Sequence, residues 1–291
     1  METKTFWSQA QPGFRFTDAE PGTLRFYEEV EAHRYALDPH IPEVVRFDEW
    51  ADRDVLEVAC GVGTDAARSA RAGARYTGTD QTGIALKLAR RRFQLEELDG
   101  HFEPVDATHL TFANESFDLV FSHGVIHHMP ETAAAVAEFR RVLRAGGTVL
   151  VTVHHRGSWN YRCNILAVRR TLAAMLAVPG VAGPLKRVLP ADGDLLAGRQ
   201  QLLREHGLRY LSDTKLFLTN NTDGPGNPLS KVYSRREIGE LFSAFTDVAT
   251  ETRYLNLRLY RGGGRIAATK VARKLERRIG WHLYVRAVKP H

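Results

Sequence analysis

The sequence predicts an α/β protein with a doubly wound, mostly parallel sheet. Short strand-like runs alternate with helix-like runs between residues 54 and 155, a glycine-rich turn follows the first of these strands, and an acidic residue ends the second. Alternation of this kind builds βαβ units, which give a parallel sheet covered by helices. The 291 residues, of which 43% are hydrophobic and 25% charged, have the composition of a globular protein with a buried core.

The elements follow from hydrophobic periodicity. Strands are predicted at about 54–60, 75–80, 102–107, 117–123 and 147–155, and helices at about 64–72, 82–98 and 131–144. Near the end of the chain, residues 281–288 alternate between polar and apolar with period two. We expect this segment to pair with residues 247–257 as a terminal hairpin.

The glycine turn after the first strand is the strongest functional signal. Residues 57–63 read Glu-Val-Ala-Cys-Gly-Val-Gly. Glycine lets the chain reverse sharply there, and it lets a ligand approach backbone N–H groups more closely than a Cβ would allow. The second strand ends on Asp80, where a carboxylate can accept both hydroxyls of a ribose. These features predict a nucleoside site.

The motif also narrows the choice of nucleoside. It lacks the third glycine of a dinucleotide fingerprint and the lysine of a triphosphate-binding loop. Together with Asp106-Ala107 after the third strand, it resembles the class I S-adenosylmethionine (SAM)-dependent methyltransferases. The resemblance continues through residues 116–130 and 138–147, and is closest to the methyltransferase type 11 branch that contains the ubiquinone/menaquinone C-methyltransferases. Ala59 stands where this family usually has its first glycine.

The resemblance implies a Rossmann-like sheet of seven strands, the last two forming an antiparallel hairpin. It implies SAM as cofactor and S-adenosylhomocysteine as product. The glycines would approach the methionine portion, Asp80 would hold the ribose, and Asp106 and Ala107 would contact the adenine. The full set of implied cofactor contacts is Glu57, Ala59, Gly61, Gly63, Asp80, Gln81, Asp106, Ala107, Ser122 and His123.

Two segments lie outside the minimal fold. Residues 1–50 are rich in aromatic side chains and are expected to form an N-terminal helical lid on a methyltransferase domain of residues 51–291. An insertion at about 156–234 follows the fifth strand, at the sheet edge where α/β proteins bind ligands, and is expected to recognise the substrate. It contains a helix candidate with Ile165, Val168, Leu172 and Met175 on one apolar face, and a turn-rich stretch at 220–228.

Histidines cluster near the predicted pocket. A proton must leave if the methyl acceptor is a hydroxyl, an ammonium or a ring carbon, and imidazole has a pKa suited to accepting it. His127 and His128 follow the fourth strand and His154 ends the fifth, so these three are the candidates for a general base. The alternative is that they line the cofactor site or cap a strand. No metal is expected at His123, His127 and His128, because no carboxylate or thiol lies at ligand spacing beside them.

Six residues are candidate substrate contacts: Tyr27, His155, Tyr161, Asn221, Asp223 and Tyr233. For Asn221 and Asp223 the alternative is equally good, since Asn and Asp beside Gly-Pro commonly stabilise a tight turn through bonds to the backbone.

The leading hypothesis is an enzyme that moves a methyl group from SAM to an O, N or C atom of a small or amphiphilic metabolite. One alternative is a nucleic-acid methyltransferase, prompted by the net charge of +6, but no nucleic-acid partner is expected because no RNA-binding motif is present. Another is a non-catalytic SAM-binding regulatory protein, prompted by Ala59. The two cysteines and the polar start of the chain favour the cytoplasm.

The basicity is concentrated near the end of the chain. Residues 258–291 contain ten Lys or Arg residues and a single acid, Glu276. A basic helix is predicted at 261–280, before the last strand, and through residues 261–279 it could contact an anionic membrane or an acidic partner. The alternative is that its small apolar stripe packs on the sheet. The sequence leaves the acceptor and the oligomeric state open.

Overall fold

A single seven-stranded sheet organises the computed structural model, which describes residues 3–9, 12–188, 193–224, 226–255, 257, 266 and 269–291. The strand order is β3-β2-β1-β4-β5-β7-β6. The first five strands run parallel, while β7 is antiparallel to both β5 and β6, which confirms the predicted terminal hairpin. The strands are β1 Asp54–Val58, β2 Arg75–Asp80, β3 His101–Pro104, β4 Phe117–His123, β5 Leu143–His154, β6 Thr246–Arg253 and β7 His282–Val288.

Helices cover both faces of the sheet and build the additional segments. They are α1 Thr3–Gln9, α2 Leu24–Leu37, α3 Ile41–Val45, α4 Thr64–Arg71, α5 Gly83–Leu95, α6 Thr132–Val142, α7 Arg170–Leu176, α8 Ala182–Val188, α9 Gly193–His206, α10 Arg209–Ser212, α11 Thr214–Thr219, α12 Arg235–Leu241 and α13 Lys270–Ile279. Short 3-10 helices occur at Pro12–Phe16, Phe47–Trp50 and Ile126–His128, and a π-helix at Asn160–Arg169. None of the helices in these ranges has the length and apolar character needed to span a membrane.

The strands bury both faces, as expected for a parallel sheet between helix layers. Successive residues of β1 show this, because Val55 packs into the core beside α3, α4 and α5, whereas Leu56 packs into the core beside α6 and α12. The strand order reverses between β1 and β4. Ligands of open α/β sheets bind in the crevice at the carboxyl ends of the strands at such a reversal.

The N-terminal segment is anchored to the helix that follows the glycine turn. Asp65, buried in the first turn of α4, accepts hydrogen bonds from Arg34 and from the Tyr35 hydroxyl of α2, the latter at 2.9 Å. A buried carboxylate is tolerated when it is paired and hydrogen-bonded in this way. The segment is therefore held against the turn by polar bonds as well as by the buried ring of Phe26.

The insertion has a small core of its own. Ile165, Tyr210 and Phe217 are buried together, and Trp281 at the start of the terminal hairpin closes this core. The expected apolar helix face is wrong in part, since Val168 and Met175 are 46% and 41% exposed. Residues 160–169 are π-helical, and a π-helix has more residues per turn than an α-helix. Spacings of three and four residues therefore do not stay on one side.

The basic helix is α13, and residues 261–265, 267 and 268 of its predicted range lie outside the described residues. Its apolar stripe divides between two environments. Ala272 is buried against the protein, whereas Val271 and Leu275 are exposed.

Two glycines of the turn permit a matched test of packing. Gly61 and Gly63 both have positive φ angles, +55° and +81°. A Cβ on Gly63 would lie 3.2 Å from the Cα and Cβ of Ala89 in α5, whereas a Cβ on Gly61 would meet nothing within 4 Å. We expect Gly63→Ala to lower the free energy of unfolding by about 1–3 kcal/mol more than Gly61→Ala, because only the former overpacks a helix contact. Urea unfolding measures this, and equal losses would contradict it.

Candidate functional site

Three left-handed residues shape the turn between β1 and α4. Ala59, Gly61 and Gly63 have φ angles of +61°, +55° and +81°. Ala59 thus adopts a conformation that glycine reaches without strain, at a cost of about 1–2 kcal/mol. The departure from the family pattern at Ala59 is accommodated by the backbone and does not straighten the turn.

Asp80 faces this turn from the carboxyl end of β2. Its Oδ1 accepts bonds from the backbone N–H and the hydroxyl of Thr82, both at 2.8 Å, and its Oδ2 accepts from the N–H of Gly61 at 3.2 Å. Burial raises the pKa of Asp80, and the bonds from Thr82 and Gly61 offset part of that rise. The open space above Gly61 and the carboxylate beside it fit a ribose and its attached chain. Gln81, next in sequence, is half-buried.

Two of the predicted cofactor contacts are engaged by the protein itself. Glu57 is buried and accepts a 2.6 Å bond from the Tyr76 hydroxyl, and burial raises the pKa of its carboxyl well above the usual range. Ser122 donates to the carbonyl of Val58 at 3.1 Å, which links β4 to β1 beneath the turn. Both side chains support the backbone that would meet a cofactor.

The remaining predicted cofactor contacts lie at the carboxyl edge of the sheet. Asp106 is exposed, and its Oδ1 accepts from the N–H and hydroxyl of Thr108 at 2.8 and 2.7 Å. Ala107 is buried beside it. His123, the last residue of β4, meets the ring of His282 edge-on at 5.7 Å, and burial lowers its pKa well below the usual value.

The three candidate bases come together in space. The ring centre of His127 is 3.9 Å from that of His154 and 4.2 Å from that of His128, although β5 and the 3-10 helix after β4 are separate in sequence. The indole of Trp281 stacks on His154 at 4.1 Å, and all three imidazoles are buried. Neighbouring parallel strands end at the same edge, which is why these side chains meet.

The three imidazoles have different electrostatic environments. Burial lowers the pKa of His127 well below its usual value and that of His154 to about 3, so both are neutral near pH 7. Both ring nitrogens of His127 and the Nδ1 of His154 are buried without a hydrogen-bond partner in the described ranges.

His128, by contrast, has polar neighbours on both ring nitrogens. Its Nδ1 lies 2.7 Å from the carbonyl oxygen of Leu229, and its Nε2 lies 3.4 Å from Oδ2 of Asp223. Burial raises the pKa of Asp223, but the neighbouring His128 and a hydrogen bond with Thr222 are among the interactions that lower it, and the pKa is lowered overall. The indole of Trp7 meets the His128 ring edge-on at 5.1 Å.

Of the six candidate substrate contacts, the structure places Asp223 beside the histidine cluster. The other five have structural contacts: the Tyr27 hydroxyl donates to Leu88, Asn221 donates to Tyr210 and Phe217, His155 Nδ1 lies 3.1 Å from the Gly280 carbonyl oxygen, the Tyr233 hydroxyl bonds Thr132, and Tyr161 packs on the insertion core. For Asn221 the turn-stabilising alternative therefore describes the contacts better.

Sequence reasoning missed Trp7, Leu229 and Trp281, which carry no motif.

Comparison with known proteins agrees with this architecture. A family model described as a methyltransferase domain matches residues 56–151. Phthiotriol/phenolphthiotriol dimycocerosates methyltransferase 1 of Mycobacterium ulcerans is 42% identical over 106 residues, which cover 36% of this chain and 38% of that protein. The ubiquinone biosynthesis O-methyltransferase of Thiobacillus denitrificans is 31% identical over 184 residues, which cover 63% of this chain and 72% of that protein.

A solved structure shares the fold. Magnesium protoporphyrin IX methyltransferase from Synechocystis, with bound S-adenosylhomocysteine, superposes with a TM-score of 0.55 at 14% identity, over 98% of this chain and 97% of that chain. The fold and the glycine turn define a Rossmann-like class I methyltransferase. The chain belongs to the SAM-dependent methyltransferase family, as the resemblance implied, and SAM is the cofactor of that family.

Asp80 provides the direct test of the cofactor site. We expect Asp80→Ala to weaken binding of S-adenosylhomocysteine at least tenfold, because a hydrogen bond to a charged group contributes about 1.5–3 kcal/mol. Isothermal titration calorimetry measures the affinity. Asp99→Ala, at an exposed acid, is the matched control and should bind normally. Unchanged affinity in Asp80→Ala would rule out a ribose contact.

The buried imidazoles make stability depend on pH. In the unfolded chain a histidine takes up its proton near pH 6.5, whereas in the folded protein the pKa of His154 is about 3 and that of His127 is well below normal. The unfolded state therefore binds more protons between these values, and stability is complete above pH 6.5 and falls as the pH drops towards 3.

We expect the free energy of unfolding to be lower at pH 5 than at pH 7, and the difference to shrink in His154→Gln. Urea unfolding at the two pH values measures it. His101→Gln, at an exposed imidazole, should keep the wild-type difference. A pH response identical in His154→Gln and wild type would show that this imidazole is not responsible.

Proposed function

We propose that this protein transfers the methyl group of SAM to a hydroxyl oxygen of a small or amphiphilic molecule. The observation that carries the proposal is the pairing of His128 with Asp223 at the carboxyl edge of the sheet. A hydroxyl must lose its proton when it is methylated, so an imidazole beside a carboxylate suits an oxygen acceptor. The similarity to a ubiquinone biosynthesis O-methyltransferase supports the same acceptor atom.

The cofactor would lie along the turn between β1 and α4. When bound, SAM supplies a methyl group already attached to a good leaving group. The open face of Gly61 would meet the methionine portion, Asp80 the ribose, and Asp106 with Ala107 the adenine. The task of the protein is then chiefly to hold the acceptor oxygen in line, about 3 Å from the methyl carbon.

His128 is the imidazole best placed to accept the proton. An Nδ1–H donating to the Leu229 carbonyl leaves the Nε2 lone pair on the side of Asp223. Once Nε2 takes the acceptor's proton, the carboxylate 3.4 Å away stabilises the positive charge. Because their pKa values are lowered, His127 and His154 stay neutral and add no like charge.

The segments outside the minimal fold would enclose the acceptor. The indole of Trp7 in the N-terminal segment contacts the His128 ring. Gly13 of the same segment lies so close to the glycine turn that an added Cβ would be 3.3 Å from the Val62 side chain. From the insertion, the stretch at 220–228 contributes Asp223. We propose that residues 1–50 and 156–234 act as a lid and a recognition surface that exclude water from the transfer.

The test combines labelled SAM with paired acceptors. We expect label in phenolic and aliphatic amphiphiles that carry a free hydroxyl, and none in the same molecules with that hydroxyl blocked as an ether. Mass spectrometry locates the label. Products labelled on nitrogen or carbon would refute the oxygen acceptor. Label on a nucleic acid included in the mixture would refute the small-molecule acceptor, and no label in any acceptor would refute transfer.

The same assay tests the base. We expect His128→Gln to lower kcat about 10²–10⁴-fold, the usual contribution of a general base, with the affinity for S-adenosylhomocysteine preserved. Asp223→Asn should lower kcat less, because it removes the charge and keeps the shape. His101→Gln serves as the control. Near-normal turnover in His128→Gln would leave positioning alone as the mechanism.

A further inference from the structure

Three side chains of types that commonly bind metals lie close together outside the family motifs. Asp38 caps the end of α2, His40 precedes α3, and His282 begins β7, so 242 residues separate the two imidazoles. His40 Nε2 lies 3.5 Å from His282 Nδ1, and Asp38 Oδ1 lies 4.0 Å from the former and 3.7 Å from the latter. All three distances join the same three atoms, which therefore form a triangle around one central point.

A hydrogen-bonded cluster does not account for this arrangement. Asp38 Oδ1 lies 4.0 Å from His40 Nε2 and 3.7 Å from His282 Nδ1, beyond the 2.7–3.2 Å range of hydrogen bonds to nitrogen, and the 3.5 Å contact between the two imidazoles is also longer than that range. Asp38 and His40 are 7% and 6% exposed, and Asp38 Oδ1 has no hydrogen-bond partner within the described part of the chain. A buried carboxylate oxygen left without a partner is unfavourable and calls for an ion or an ordered water.

The geometry fits a transition-metal ion. The nearest point equidistant from the three atoms, in the plane they define, lies about 2.2 Å from each, close to the 2.0–2.2 Å bonds that Zn²⁺ makes to imidazole nitrogen and carboxylate oxygen. Two imidazoles and one carboxylate suit Zn²⁺, Co²⁺ or Fe²⁺ better than Mg²⁺ or Ca²⁺, which prefer oxygen ligands.

The neighbouring cations are already paired. The positive charges of Arg34 and Arg253 interact electrostatically with His40. An unpaired guanidinium at this place would repel a bound dication. Arg34 is bonded to Asp65, and Arg253 lies 2.7 Å from Glu251. The carboxylate of Asp38 is thus the anionic group that faces the two imidazoles directly.

We propose that Asp38, His40 and His282 form a binding site for a zinc-class divalent metal, which ties the N-terminal segment to the last strand. The site is separate from the glycine turn, and the proposal does not depend on the acceptor or on turnover. It borders the candidate active site, since His282 pairs with His154 in the sheet and meets His123 edge-on. Three protein ligands leave a further coordination position for water or another donor.

The experiment uses the full chain freed of metal with a chelator and then titrated with Zn²⁺ or Co²⁺ alone. We expect one ion per chain by calorimetry, visible absorption bands from bound Co²⁺, and a higher Tm with Zn²⁺. Asp38→Asn and His40→Ala should each weaken binding at least about tenfold and abolish the Tm increase. His101→Ala, which removes an exposed imidazole beside Glu103, should behave as wild type.

Binding of S-adenosylhomocysteine by the variants shows that they are folded, which separates loss of the site from loss of the protein. Absence of a tightly bound ion in the wild type would overturn the proposal and leave an ordered water as the occupant. Undiminished binding in both Asp38→Asn and His40→Ala would overturn it too, by placing the ion elsewhere.

Discussion

The turn between β1 and α4 must reverse the chain within five residues while leaving space for a ligand above Gly61, and much of the molecule is arranged around that requirement. Left-handed residues at 59, 61 and 63 satisfy it. The absence of a Cβ at Gly63 lets α4 approach α5, and the N–H of Gly61 reaches across to Asp80. The buried carboxylate of Asp65, one turn further on, then anchors α2 and with it the N-terminal segment.

The carboxyl edge of the sheet holds several ionisable side chains close together. Many imidazoles converge there, and burial keeps most of them neutral, as for His123, His127 and His154. A set of like cations would be unstable in so small a volume. Asp223 and Asp38 each face imidazoles at this edge. The first suits stabilisation of a transient imidazolium, and the second suits a bound cation.

The additional segments contribute groups that contact the histidine cluster at the carboxyl edge of the sheet. The N-terminal segment contributes Trp7 beside His128, and the insertion contributes Asp223 and the carbonyl of Leu229. None of these groups belongs to the sheet that carries the family motifs. A shared fold therefore says little about the acceptor, because the acceptor would meet residues outside the sheet that carries the family motifs.

The sequence by itself determined the order of strands and helices, the terminal hairpin and the glycine turn after the first strand, because hydrophobic periodicity and glycine conformation are local properties of the chain. It also indicated the three histidines, since parallel strands end together. Only the tertiary structure distinguished Asp223 from Asn221, which the sequence treated alike, because the distinction lies in whether each side chain meets His128 or Tyr210. The exposure of Val168 follows from a π-helix, which hydrophobic periodicity alone does not reveal. The contact between His40 and His282 could not be predicted from the sequence. The two residues are 242 positions apart, so their contact depends on how the whole chain packs and produces no recognisable sequence spacing.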